Sequence, residues 1–203
     1  MAPRAADAPG AGRDTYRNAL AAQLAWAAAR QLPAQITVDG GPAWTRPAAA
    51  DDVPLLRAVH EASSPATLHR RYGRGSPAVS ALHDLVDRHL VLVTSVTDDA
   101  AIAVMTLGVT CAEPDVVDVG LHVADAWQRR GVGTALARRA IELAREAGAV
   151  RLSAHIAADN TGSLALLRRL GIAPGPVDNA CHTVHLNIDR CPHAGCGPTT
   201  TRP

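Results

Sequence analysis

Apolar and polar positions recur along this 203-residue chain in patterns that predict its elements before any motif is considered. The densest patterning lies between Val116 and Gly171. Alternating β-branched positions run to Val123, as in a half-buried strand, and a polar loop follows: Gln128-Arg129-Arg130-Gly131-Val132-Gly133-Thr134. Val132, Leu136, Ala140, Leu143 and Ala147 then fall four, four, three and four apart, which is one face of a helix. Gly148 stands where a left-handed C-cap is expected. Val150 to Ala157 returns to strand character, and Asp159-Asn160-Thr161 opens another short helix. The unit reads strand, glycine loop, helix, strand, helix.

The flanking chain is less regular. Residues 1–14 are rich in Ala, Pro and Gly, carry no periodicity and predict a mobile tail. A helix is expected over about 15–31, capped by Asp14 or Thr15, with Tyr16, Leu20, Leu24 and Trp26 as its stripe. That stripe would dock on its own domain or on a second subunit, so a homodimer stays open. Pro33 ends the helix, and Gly40-Gly41-Pro42 reads as a linker or turn. Trp44 to Arg46 is the first expected strand. Asp51 caps a helix with Pro54 in its first turn and Leu55, Val59 and Ala62 inward; Ser64-Pro65 repeats the device. A loop over 72–77 and a helical stretch over 78–89 follow, the latter placed over the substrate end of the sheet. Leu90 to Thr97 and Ala101 to Cys111 form a hairpin about Asp98-Asp99. After Pro174-Gly175-Pro176, His182 to Ile188 is a last strand. The expected fold is an α/β domain with a mixed sheet of six to seven strands and helices on both faces. The division is 1–43 as tail plus N-terminal helix, 44–190 as the domain, and 191–203 as a disordered tail.

Composition narrows the function classes. A net charge of +1 with 19% charged residues gives no field suited to nucleic acid or an anionic membrane. No apolar run approaches the roughly 18–20 residues of a membrane span. Ala19 to Ala29 imitates an export core, but Gln23 interrupts it. With no Phe and five other aromatics, the core must be built from Val, Leu, Ile and Ala. Four cysteines, three of them after position 180, make no disulfide framework, so the expected compartment is the reducing cytoplasm. Cys191, His193 and Cys196 offer three zinc-ligand types in a spacing of no common module, without an apolar anchor; a solvated tail and no metal are expected.

The loop carries the chemistry. Gly131 and Gly133 leave backbone N–H groups uncovered, and the following helix adds its unpaired donors and the positive end of its dipole. Together these form a site for phosphate oxygens, with Arg129 and Arg130 nearby. The dinucleotide fingerprint fails because position 136 is Leu, and no Gly-Lys-Ser/Thr completes a P-loop. On spacing alone, Gly-x-Gly also serves as a plain helix start.

Gln128-x-x-Gly131-x-Gly133 after a strand, Asn160 opening a later helix, Ala124-Asp125-Ala126-Trp127 and Leu170-Gly171-Ile172 together resemble the acetyl-CoA signature of the GNAT N-acetyltransferase superfamily. Ser64 to Tyr72 is similar to the substrate-side helix of its bacterial protein-lysine acetyltransferase-like branch. The resemblance implies a mostly antiparallel sheet and acetyl-CoA as co-substrate. It places contacts to acetyl-CoA at Leu121, Val123, Gln128, Arg129, Arg130, Gly131, Val132, Gly133, Thr134, Asn160 and Ser163.

Acetyl transfer to an amine needs a neutral nucleophile, a path for its proton and a polarised thioester carbonyl. By the period of two, Asp118, Gly120 and His122 share one face of the strand. Asp118 falls where the resembling branch has Glu as general base. One methylene shorter, it would act through a water or on a closer substrate; orienting a cationic group is its other role. His122 is the rival base, by its unperturbed pKa. His155, beside Ser153, reads as a packed histidine. The superfamily's tyrosine acid, seven residues after Asn160, is replaced by Leu167. No cysteine falls at the reaction centre, so direct attack by a primary amine, on protein lysine or a small molecule, is expected. The alternative on the same fold is a catalytically weak acyl-CoA sensor or partner-binding module.

Overall fold

The computed structural model describes residues 11–73, 75–109, 113 and 115–188. Residues 1–10 of the expected 1–14 tail and the whole expected tail at 191–203, with Cys191, His193 and Cys196, lie outside the described residues; residues 11–14, expected in the tail, instead open a helix. Fourteen elements follow in order: α1 (Ala11–Gln31), β1 (Ala34–Val38), β2 (Gly41–Pro47), α2 (Val53–Glu61), α3 (Pro65–Tyr72), α4 (Val79–Arg88), β3 (Leu90–Thr97), β4 (Ala100–Val109), β5 (Val116–Val123), α5 (Val132–Glu146), β6 (Arg151–Ala157), α6 (Thr161–Arg169), β7 (Val177–Asp178) and β8 (Cys181–Asn187). Short 3₁₀ turns occupy Ala50–Asp52 and Asp125–Trp127.

One sheet runs β1-β2-β3-β4-β5-β6-β8-β7. Every neighbouring pair is antiparallel except β5 and β6. The sheet has eight strands where six to seven were expected, and both additions are short. β1 occupies a segment between Pro33 and Gly40 to which no element was assigned, whereas the expected turn falls at Asp39-Gly40. Ile36 and Val38 are buried while Gln35 is exposed, and Asp39-Gly40 closes the hairpin to β2 with φ of 118° at Gly40. A strand of five residues offers too little alternation to stand out. β7 has two residues and turns back through Asn179 and Ala180, both at positive φ.

The two faces of the sheet bury separate cores. On one, Leu20, Leu24, Ala27 and Ala28 of α1 and Leu136, Ala140 and Leu143 of α5 pack on Met105, Leu107 and Leu152. On the other, Val53, Leu56, Val59 and Leu82 cover Val91, Val93 and Val104. The α1 stripe differs from the expected one. Tyr16 and Trp26 are exposed, and Trp26 lies 4.6 Å beneath the Arg30 guanidinium. The helix starts at Ala11, so Asp14 falls inside the first turn, 3.5 Å from Arg17, rather than at the cap. In α2 the buried residues are Val53, Leu56, Val59 and His60. The 3₁₀ turn moves the helix start to Val53 and rotates the face, leaving Ala62 exposed. Among the described residues, no helix is long and apolar enough to cross a membrane.

Candidate active site

The site begins where the one parallel pair comes apart. β5 and β6 are paired at Val116–Arg151, Val117–Leu152 and Asp118–Ser153 and no further. Both strands continue, to Val123 and Ala157, with the facing edge of β5 open. β4 holds β5 on its other side and β8 holds β6, so the strands diverge as a rigid wedge. A cleft of about 440 Å³ fills the opening and reaches from Val119–Val123 and Ser153–Ile156 to the starts of α5 and α6.

The loop before α5 supplies donors to this cleft. Gly131 is the N-cap at φ 85°, and no side chain caps the helix. The first-turn N–H groups therefore have no side-chain acceptor, which is the arrangement that receives anionic oxygens. A Cβ at Gly131 would meet nothing within 4 Å, so the loop presents open backbone there. Arg129 is held at φ 59°, in the left-handed region that non-glycine residues seldom occupy, and its side chain lines the cleft. These features fit a phosphate-bearing group.

The other predicted contact residues are distributed unevenly. Leu121, Val123, Gln128, Gly131, Gly133, Thr134, Asn160 and Ser163 line the cleft. The Gln128 amide donates to the Val123 carbonyl at 3.1 Å and to Asp125 at 3.0 Å, which clamps the end of β5 to the loop. Asn160 caps α6 by accepting from the Ser163 N–H at 3.1 Å. Val132 is buried in the α5 core, and the Arg130 guanidinium stacks on Trp127 at 5.1 Å. Those two side chains face away from the cleft; they belong to the loop through their backbone.

Asp118 stands at the vertex of the wedge. The Ser153 hydroxyl donates to its Oδ1 at 2.8 Å, and it is Ser153 that lines the cleft. His122 lies further along the same face of β5, buried and lining the cleft. Its ring stacks on His60 of α2, with centroids 4.7 Å apart and 5° between planes. The hydrogen-bond network assigns both tautomers, because a carbonyl can only accept. Ser63 Oγ donates to the Val59 carbonyl at 2.9 Å and so accepts from His122 Nε2 at 3.0 Å. His60 Nδ1 donates to the Leu56 carbonyl at 2.5 Å, and its Nε2 accepts from the Tyr72 hydroxyl at 2.6 Å. Burial, with His60 and Arg71 beside it, pulls the His122 pKa down to about 4. Burial lowers that of His60 and raises that of Tyr72. Both imidazoles are neutral at pH 7. His155 is exposed on β6, 3.3 Å from Thr183. Leu167, where a tyrosine acid was sought, is a buried apolar residue of the cleft wall.

The sequence reading passed over His60 and Ser63. The one sequence signal for His60 is a polar residue on the face of α2 that otherwise carries Leu56 and Val59. Arg71 and Tyr72 fell within the noted substrate-side helix without a role. Among the described residues, no group of three or more His, Cys, Asp or Glu side chains could hold a metal ion.

The acetyltransferase (GNAT) family model matches residues 72–172, the span holding β5, the glycine loop, α5, β6 and α6. Over those residues the chain matches a GNAT-family acetyltransferase domain. Solved structures agree on the fold. The GNAT domain of S. lividans PAT superposes with a TM-score of 0.69 at 20% identity, over 76% of this chain and 96% of that one. Mycobacterium smegmatis RimJ, solved with CoA-disulfide, gives 0.61 at 20% identity over 81% and 92%. Salmonella typhimurium yncA, solved with its cofactor acetyl-CoA, gives 0.59 at 20% identity over 78% and 99%. The domain extends N-terminal to the family match: β1, β2 and α2 belong to the same sheet and cores. Asp118 and Leu167 stand where the resemblance implied a glutamate base and a tyrosine acid.

Proposed function

We propose that this protein is an acetyl-CoA-dependent N-acetyltransferase that passes an acetyl group directly to a primary amine. The observation that carries the reading is the open wedge of β5 and β6 leading to an uncapped helix start. Bound acetyl-CoA supplies an activated acetyl thioester, from which the amine forms an N–C bond as the C–S bond breaks. The first-turn N–H groups of α5 and the Arg129 side chain hold the phosphates, and the free edge of β5 at Leu121–Val123 lines the pantetheine arm. The apolar wall of Leu166 and Leu167 excludes water from the thioester end.

Proton removal falls to Asp118 acting through Ser153. The carboxylate is a methylene short of reaching the acceptor, and the Ser153 hydroxyl bridges the gap. Its proton is directed at Asp118 Oδ1, so its lone pairs face the cleft and the amine. A proton accepted from the amine at Ser153 Oγ is matched by one passed to Asp118. His122, neutral and a weak base, shapes the acceptor wall. Parallel titrations of wild type, Gly133→Asp and Asp118→Asn test the assignment. Gly133→Asp should lose acetyl-CoA binding, and Asp118→Asn should keep binding and lose turnover. Unchanged CoA affinity in Gly133→Asp would overturn it.

Leu167 favours a second reading, an acyl-CoA sensor on the same fold, because among the described residues no tyrosine or cysteine lines the cleft to protonate a thiolate. A thiol with pKa near 8.5 is nonetheless a tolerable leaving group. Tight CoA binding with no turnover on any amine would establish the sensor.

A further inference from the structure

The charges on the cleft wall bear on which amine is accepted, an inference that rests on the acetyl-transfer reading. Among the described residues the cleft is lined by Arg70, Arg71, Arg129 and Arg169 and by no Asp or Glu. Arg129 lies on the phosphate loop, and Arg70 is paired with Asp159 at 3.3 Å. Arg71 is placed differently. It leaves the last turn of α3 and lies flat over β5 at Gly120, where a Cβ would stand 1.8 Å from its Nη2. Glycine at 120 is what admits the guanidinium to the surface of the strand. There its Nη2 donates to Thr106 Oγ1 at a long 3.4 Å, and its buried Nε meets no acceptor. Among the described residues no carboxylate lies within salt-bridge distance of it; its neighbours are the Tyr72 ring, 5.0 Å away, and the imidazoles of His60 and His122, whose charged forms it disfavours.

A partly buried guanidinium without an acid partner carries an uncompensated desolvation cost. Its planar fork of donors matches a carboxylate. Conversely, a polyamine or a lysine in a basic peptide would bring a further positive charge against Arg71. Spacing along the strand supplies the rest. Gly120, beneath Arg71, is two residues from Asp118, and so roughly 7 Å from it on the same face. That interval spans a carboxylate held by Arg71 and an adjacent amine directed at Ser153.

We propose that the acceptor is a small amine bearing a carboxylate, of the α-amino-acid class, with Arg71 as the residue that holds the carboxylate. Cationic amines and protein lysine are then poor acceptors.

The test uses the full chain with saturating acetyl-CoA and pairs of acceptors differing only in the carboxylate, such as leucine against isoamylamine and phenylalanine against phenethylamine. For at least one pair, kcat/KM should be ~10²-fold or more in favour of the carboxylated member, in line with loss of a charge-assisted bidentate contact. Arg71→Gln should raise KM for that amino acid by a similar factor and leave acetyl-CoA affinity unchanged, and Arg71→Lys should recover part of the loss. The paired comparison on wild type stands even where a variant folds poorly. Equal use of both members, preference for lysine peptides, an unmoved KM in Arg71→Gln, or no turnover of any amine overturns the proposal. Turnover of uncarboxylated amines alongside intact acetyl-CoA binding by calorimetry sinks this proposal alone, whereas no turnover of any amine, with CoA bound or not, sinks the acetyl-transfer reading on which it rests.

Discussion

Two side chains, Asp118 and Ser153, carry the proposed chemistry at the vertex of the wedge. Asp118→Asn preserves shape and removes basicity, and kcat/KM should fall ~10²–10³-fold, the range usual for a general base. The defect should shrink as pH rises and free amine becomes plentiful. Ser153→Ala should reproduce much of that loss with acetyl-CoA affinity intact; an unimpaired Ser153→Ala would restrict Asp118 to a water-mediated role. His122 governs stability instead. Its folded pKa of about 4 lies below the ordinary histidine value, so the unfolded chain binds more protons between about 6.5 and 4. Stability is complete above that window and declines as pH falls through it, by at most about 3 kcal/mol from this residue. His60 and His89, lowered by burial, act in the same direction. Thermal melts from pH 7 to 4 should show the decline, and His122→Gln should flatten it.

At the scale of the element, the loop before α5 combines two backbone demands that different substitutions separate. Gly131 requires positive φ with open space around its Cβ, so Gly131→Ala should cost about 1–2 kcal/mol of stability through backbone strain alone. Gly133 has ordinary backbone, but a Cβ there would stand 3.0 Å from Leu166 and 3.7 Å from Leu121. Gly133→Asp therefore sets a negative charge into the cleft, and acetyl-CoA affinity should fall by at least about 2 kcal/mol, measured by calorimetry. Arg129 pays strain for its position. Arg129→Gly should raise the melting temperature slightly while weakening CoA binding, an opposition expected of strain held at a functional turn.

For the whole molecule the critical interface is α1 against α5 and the sheet. Leu20 and Leu24 are buried there, and full burial of such a side chain contributes roughly 1.5–3 kcal/mol. Removing residues 1–32 should therefore lower the melting temperature by about 10 °C or more, or change the sedimentation behaviour as the exposed face finds another cover. A truncated chain that melts and sediments like the full one would show α1 to be dispensable. The exposed Tyr16 and Trp26 take no part in this contact.

Local periodicity determined the elements around the site: β5, the glycine loop, α5, β6 and the Asn160-capped α6 were legible because each depends on neighbours three or four residues away or on alternation. So was the uncovered backbone at Gly131, which needs only glycine before an apolar helix. β1 and β7 were hidden, since two to five residues carry too few alternations and their pairing depends on a partner strand. The phase of α2 and the stripe of α1 turned on where each helix starts, which neighbouring turns set. The polar cluster of His60, Ser63, Tyr72 and His122 was beyond sequence reasoning for a different reason. Its members come from α2, α3, the link between them and β5, up to 62 positions apart, and the tautomers and depressed pKa values of its two histidines exist only where packing removes water. Arg71 is the same case: an arginine at a helix end is ordinarily solvated. Only the approach of α3 to Gly120 turns it into a partly buried cation without an acid.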